Sequence, residues 1–169
     1  MPEQAALPLL DELAARLVEA AGARGLTVAA AESCTGGRIA DCLARIPGAS
    51  RVLWGSFVCY SIEAKDRMLG IPPDTAARFG AVSREIALAM ARAALEQSGA
   101  DMAVSATGLA GPEGDGSPVP VGTVWIGSAR RGGAAEASVY HFEGSRNEVR
   151  DAAAGQALHA LLSRVIERT

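Results

Sequence analysis

The sequence predicts an α/β fold: a three-layer α/β/α single domain over residues 1–169, with a mixed, mostly parallel sheet. Three observations carry this expectation. Helical and strand-like patterns alternate as far as residue 106, the order in which crossover helices join parallel strands. The last two strand-like runs instead face each other across Arg131-Gly132-Gly133, a hairpin and therefore antiparallel. Finally, 49% of residues are hydrophobic but only 4% are aromatic, so the core is built from Ala, Val, Leu and Ile. Alanine-rich helices pack close to a sheet.

In chain order, Leu7 to Ala23 spaces Leu10, Leu13, Leu17 and Val18 at helical intervals. Gly25 closes this N-terminal helix, which packs on the domain as residues 1–25. Leu26 to Ala31 is an apolar strand that stops at Glu32-Ser33-Cys34-Thr35-Gly36-Gly37. The next helix sets Ile39, Leu43 and Ile46 on one face and stops at Pro47-Gly48. Val52 to Tyr60 is rich in β-formers and reads as a second strand. A short helix runs from near Ser61 to Leu69, and Pro72-Pro73-Asp74 opens another that ends at Gly80. Ser83 caps a longer helix with Ile86, Met90 and Ala94 turned inward. Asp101 to Ala106 is a strand, followed by Thr107-Gly108-Leu109-Ala110-Gly111-Pro112 and an irregular stretch, 113–120, the best candidate for a mobile flap. The hairpin strands are Val121 to Ala129 and Ala135 to Phe142. A long helix from Ser145 to Arg168 buries Val149, Leu158, Leu161, Leu162 and Val165. No repeat, low-complexity tail or linker divides the chain.

Composition excludes several classes. A net charge of −3 argues against a chain-wide affinity for nucleic acid. Three cysteines, Cys34, Cys42 and Cys59, form no CxxC pair, and there are two histidines. This rules out a zinc ribbon and disfavours a secreted disulfide scaffold, so a reducing cytoplasm is expected. No apolar run reaches the length of a membrane span, and Met1-Pro2-Glu3-Gln4 lacks the basic start of a signal peptide. There is no GxxxxGK[ST], no GxGxxG after a strand and no HExxH, so no nucleotide cofactor or metal is expected.

Three loops leave strand ends with chemical character: Ser33 to Gly37, Tyr60 to Lys65, and Thr107 to Pro112. Parallel neighbours would open all three onto one sheet edge, where α/β proteins bind ligands. Ser33 is the candidate nucleophile, and Thr35 caps the following helix. Gly36 and Gly37 let a ligand approach the backbone. A serine hydroxyl needs a base, and a lysine serves when burial lowers its pKa, so Lys65 and Tyr60 are candidate activators. His141 and His159 lie far along the chain, which favours Ser-Lys over a triad. Cys34 is a rival nucleophile. Gly108 and Gly111 offer backbone N–H donors to an anion, and Arg146 with Arg150 in the first turn of the last helix hints at an anionic ligand. Each residue also has a plainer reading. Ser33 is then a helix cap, Lys65 a solvated helix residue, Tyr60 a half-buried strand aromatic, Thr107 to Pro112 a simple turn, and Arg146 half of a surface ion pair.

Taken together, Ala31-Glu32-Ser33-Cys34-Thr35-Gly36-Gly37, Tyr60-Ser61 with Lys65, Gly80-Ala81-Val82-Ser83, Thr107 to Pro112, and Pro120-Val121-Gly122-Thr123-Val124-Trp125 resemble the CinA C-terminal domain family. The match runs from about Thr27 to Arg150. Family members with known activity are nicotinamide-nucleotide amidases. The resemblance implies metal-independent hydrolysis of the carboxamide of nicotinamide mononucleotide, giving nicotinate mononucleotide and ammonia in pyridine nucleotide salvage. Ser33 matches the nucleophile and Lys65 its base, with Tyr60 close by. Substrate contacts are expected from Thr35, Gly36, Gly37, Thr107, Gly108, Gly111 and Arg146, the last toward the 5′-phosphate. Backbone N–H groups near Gly36 or Gly108 are the expected oxyanion donors. The resemblance is to the stand-alone form of the domain, as a homodimer or higher homo-oligomer without nucleic acid or membrane partners. Two positions depart from many relatives: Val119 replaces a lysine, and Ser145 an acidic residue. The alternatives are a catalytically silent module that binds nucleotide or a partner protein in competence or DNA damage, and an amidase acting on a different amide.

Overall fold

A sheet whose strands are apolar on both sides has to be covered on both faces, and that requirement shapes this fold. The structure is a computed structural model that describes residues 10–167. Residues 7–9 of the expected first helix, the Met1 to Gln4 start and Arg168 lie outside the described residues. The strands are β1 (Val28–Glu32), β2 (Leu53–Val58), β3 (Met102–Gly108), β4 (Thr123–Arg130) and β5 (Glu136–His141). The helices are α1 (Leu10–Gly22), α2 (Arg38–Ala44), α3 (Ile62–Leu69), α4 (Pro73–Phe79), α5 (Arg84–Ser98) and α6 (Arg146–Ile166). The sheet order is β2-β1-β3-β4-β5. β1 pairs in parallel with both β2 and β3, while β4 pairs antiparallel with β3 and β5. Four strands therefore point the same way and β4 alone runs against them, as the alternation and the hairpin predict.

The period of two along each strand sorts the core into two layers. Val28 and Ala30 of β1, with Met102, Val104 and Ala106 of β3, pack under α1, α2 and α6. Ala29, Ala31 and Ala103 face the other way, against Ile86, Met90 and Ala94 of α5. All three α5 residues are fully buried, as their helical spacing predicts. α5 lies so close to the sheet that a Cβ on Gly127 would collide with the Ala87 carbonyl oxygen. Ser105 Oγ uses the same closeness to donate to that carbonyl at 2.6 Å.

Element ends differ from the sequence expectation where pairing, rather than local preference, sets them. β1 extends to Glu32 because its neighbours there, Val58 and Ala106, continue both ladders. β3 continues to Gly108 because Val124 still pairs with it. β2 stops at Val58, so Tyr60 lies beyond the strand. α2 ends at Ala44, and the Ile46 N–H turns back to the Leu43 carbonyl before a single 3₁₀ turn at Ala49–Arg51. The three strands β1, β2 and β3 point their carboxyl ends at one edge, which delivers the three candidate loops to a common place.

Candidate active site

The turn after β1 holds Ser33. Its N–H donates to the Ala106 carbonyl at 3.0 Å, so the residue continues the β1–β3 ladder one step beyond the strand. Its carbonyl accepts from the Gly36 N–H at 3.0 Å. Gly36 and Gly37 have φ of 55° and 99°, left-handed values that a side chain would strain. Two such residues in succession reverse the chain tightly enough to start α2 immediately behind the serine.

Lys65 reaches the same point from α3. Ser61 caps this helix by accepting from the Ala64 N–H at 3.0 Å, which sets the helix phase and turns Lys65 toward the sheet. Only 3% of Lys65 is exposed, so it is no solvated surface residue. Its Nζ lies 3.1 Å from Ser33 Oγ and 3.2 Å from the Cys59 carbonyl oxygen. Among the described residues no carboxylate pairs with it. Burial pushes the ammonium below the ordinary lysine value of 10.5, because the charged form loses hydration that two neutral acceptors replace only in part. A neutral Nζ at this distance has a lone pair to accept the serine proton.

Ser33 and Lys65 open into a cavity of about 290 Å³, also lined by Tyr60, Thr107, Gly108, Gly111 and Arg146. Ala81 and Val82 form part of its wall, held by the Thr107 hydroxyl donating to the Ala81 carbonyl at 2.8 Å. Arg146, the first residue of α6, donates from Nη1 to the Gly111 carbonyl and from Nη2 to the Tyr60 hydroxyl, both at 2.6 Å. Tyr60 is 57% exposed, neither half-buried nor within the strand. Glu113 and Asp115 bring two carboxylates to the lining from the irregular loop.

Of the ten candidate residues, the cavity lining therefore unites Ser33, Tyr60, Lys65, Thr107, Gly108, Gly111 and Arg146, and leaves out Thr35, Gly36 and Gly37. The expectation that Thr35 caps the helix is corrected. The N-cap is Gly37, and among the described residues it makes no side-chain cap bond and the fully buried Thr35 hydroxyl has no hydrogen-bond partner. The cap comes from Glu32, which accepts from the Ile39 N–H at 2.7 Å. Gly36 offers no free oxyanion donor because its N–H closes the turn, whereas Gly108 lines the cavity. Arg150 is also reassigned. It donates to the Cys34 and Thr35 carbonyls at 3.1 and 2.9 Å, bracing the turn from outside the lining. Cys34 also lines the cavity, but it is buried, and burial pushes its thiol up to about 11, which disfavours the thiolate that a cysteine nucleophile needs. Neither His141 nor His159 lines the cavity. Sequence reasoning missed Glu32, Glu113 and Asp115. A lone carboxylate closing an apolar strand was the available signal for the first, and none marked the others.

Comparison with known proteins gives a consistent picture. The family model for the CinA C-terminal domain matches residues 10–165. The chain is 41% identical over 160 residues to the nicotinamide-nucleotide amidohydrolase PncC of Escherichia coli, covering 95% of this chain and 97% of that protein. It is 45% identical to a CinA-like protein of Geobacter metallireducens over 93% of this chain, and spans only 37% of that longer relative. Among solved structures, the competence/damage inducible protein CihA of Agrobacterium tumefaciens superposes with a TM-score of 0.88 at 41% identity, covering 95% of this chain and 98% of that one. The competence damage-inducible protein A of Klebsiella pneumoniae gives 0.91 at 34% identity, covering 96% and 100%.

Proposed function

The chain belongs to the CinA C-terminal domain family, and on that footing we propose that it hydrolyses the carboxamide of nicotinamide mononucleotide to nicotinate mononucleotide and ammonia. The observation that carries the proposal is the 3.1 Å approach of a buried lysine Nζ to Ser33 Oγ inside a cavity. Ser33 Oγ attacks the amide carbon as its proton passes to neutral Lys65 Nζ. The tetrahedral intermediate collapses, the C–N bond breaks, and Lys65 returns the proton to the departing ammonia. Water then attacks the acyl-enzyme, with Lys65 as base again, and releases the carboxylate and Ser33. No step requires a metal.

The lining suits a substrate that carries both charges. Arg146 presents a guanidinium for the 5′-phosphate, and Glu113 and Asp115 present carboxylates to a cationic ring. The pyridinium charge also makes the amide carbon more electrophilic, which lessens the stabilisation the protein must supply. Thr107 and Gly108 border the reacting end, and Tyr60 joins it to Arg146. Pyridine nucleotide salvage in the cytoplasm, by a homo-oligomer of this domain, is the setting that goes with this reading.

Ammonia release from nicotinamide mononucleotide, nicotinamide and NAD by the purified chain is the test. The mononucleotide is expected to be turned over, and Ser33→Ala to abolish turnover. Binding of the mononucleotide without ammonia release would instead identify a silent nucleotide-binding module. Full activity in both Ser33→Ala and Lys65→Ala would overturn the mechanism.

A further inference from the structure

Glu32 is the only acidic side chain among the described residues that is wholly buried, and no step above uses it. A buried carboxylate is costly unless its oxygens are satisfied, and here they are satisfied by both sides of the catalytic turn. One oxygen accepts from the Ile39 N–H at 2.7 Å. The other accepts from the Ala40 N–H at 3.3 Å and from Ser56 Oγ at 2.7 Å. Ile39 and Ala40 belong to the first turn of α2, whose orphan N–H groups have no side-chain cap of their own. Ser56 belongs to β2 on the opposite side. The main chain of Glu32 extends the same tie. Its carbonyl accepts from the Cys59 N–H at 2.9 Å, and the Cys59 carbonyl receives Lys65 Nζ at 3.2 Å.

Ser33 is thus joined to Glu32 covalently, and Lys65 is joined to it through one backbone residue. We propose that Glu32 is a positioning residue for the Ser33–Lys65 pair: its carboxylate clamps the β1–α2 turn to β2 and thereby sets the Oγ–Nζ separation. The inference rests on the reading of that pair as nucleophile and base. Glu32 lies outside the cavity lining, so its effect falls on the chemical step and not on substrate binding. Glutamine has the same shape, but one of its arms must point an N–H at an N–H of α2. Because a misplacement of 1 Å can cost about a hundredfold in rate, a small shift of the turn is enough to be read.

The test uses Glu32→Gln and Ser56→Ala in the full chain, with two readouts. The first is ammonia release from nicotinamide mononucleotide. The second is the rate at which an alkyl fluorophosphonate labels Ser33, followed by mass spectrometry, which reports nucleophile geometry whatever the natural amide is. Glu32→Gln is expected to lower kcat about 10- to 100-fold, with KM within about threefold and the labelling rate falling in parallel. Ser56→Ala should produce a smaller fall of both, and the double variant less than the product of the two. Wild-type kcat and labelling in folded Glu32→Gln would overturn the proposal, as would a lowered melting temperature with an unchanged labelling rate. If Glu32→Gln does not fold, Ser56→Ala is read in the same way, and unchanged labelling there overturns it. Labelling of wild-type Ser33 without ammonia release would refute the substrate while leaving the clamp testable by labelling. A wild-type Ser33 that does not label would refute the pair and the clamp together.

Discussion

Replacing Lys65 by Met separates the chemistry of this lysine from its packing. Met keeps most of the buried aliphatic stem and removes the amine that stands 3.1 Å from Ser33 Oγ. A positioned general base contributes about 10²–10⁴ in rate, equivalent to about 3–5 kcal/mol of transition-state free energy at 1.36 kcal/mol per tenfold. Lys65→Met should lose that much kcat in ammonia release from nicotinamide mononucleotide. The wild-type rate should rise with pH as Lys65 deprotonates, with its midpoint below 10.5 because burial lowers the folded-state value. Stability supplies an independent check. Between the lowered folded pKa and the unfolded value of 10.5 the unfolded chain binds more protons, so wild-type stability rises with pH across that window. Below the folded pKa the penalty is fully present, at about 1.4 kcal/mol for each unit of lowering. Lys65→Met abolishes the penalty, so its stability relative to wild type should be most favourable near pH 7 and decline toward pH 10.5. The two lost hydrogen bonds, to Ser33 Oγ and the Cys59 carbonyl, offset the difference by a constant and leave its slope alone. Urea unfolding of both proteins from pH 7 to 10.5, run beside the activity assay, measures both quantities. A variant within tenfold of wild-type kcat, with a pH-independent stability difference, would refute the assignment of Lys65 as a neutral buried base.

Three further outcomes follow from particular contacts. Arg146→Ala should raise KM for nicotinamide mononucleotide about 10- to 100-fold, the worth of a charge-assisted hydrogen bond, while kcat changes little; nicotinamide riboside, which lacks the phosphate, should show no comparable loss in steady-state kinetics. Thr35→Val removes a buried hydroxyl that has no partner among the described residues, so it should leave activity intact and leave stability unchanged or raise it by about 1–3 kcal/mol; a raised KM would instead assign that hydroxyl to the substrate. Gly127→Ala drives a Cβ into the Ala87 carbonyl oxygen and to 2.5 Å from Ser105 Oγ, and should cost about 1–3 kcal/mol by overpacking, seen as a lower urea midpoint with an unchanged m-value.

Elements with a strong local signature are legible in the amino-acid order itself. Ser83 caps α5 by accepting from the Ile86 N–H at 3.3 Å, and Val149, Leu158, Leu161, Leu162 and Val165 of α6 are buried, because helix capping and a 3.6-residue period depend only on near neighbours. Ser33, Tyr60, Lys65 and Thr107 are legible as a group, because loops that follow parallel strands must share one edge of the sheet, whereas Arg146 is legible only as an arginine in the first turn of a helix.

Local pattern therefore dictates the order of elements, their inward faces and the loops that could carry chemistry. Which groups in those loops are free to act is settled by long-range packing. Thr35 was the natural local cap, yet the left-handed turn at Gly36 and Gly37 moves the cap to Gly37 and lets Glu32 reach the helix N-terminus instead. Arg146 and Arg150 stand one helical turn apart, about 6 Å along the axis. That spacing takes one to the cavity and the other to the carbonyls behind the turn. Lys65 reads locally as any helix lysine, and only the packing of α3 on the sheet buries it against Ser33. Burial, and with it the lowered pKa that base chemistry needs, depends on residues distant in sequence, so no local pattern can encode it.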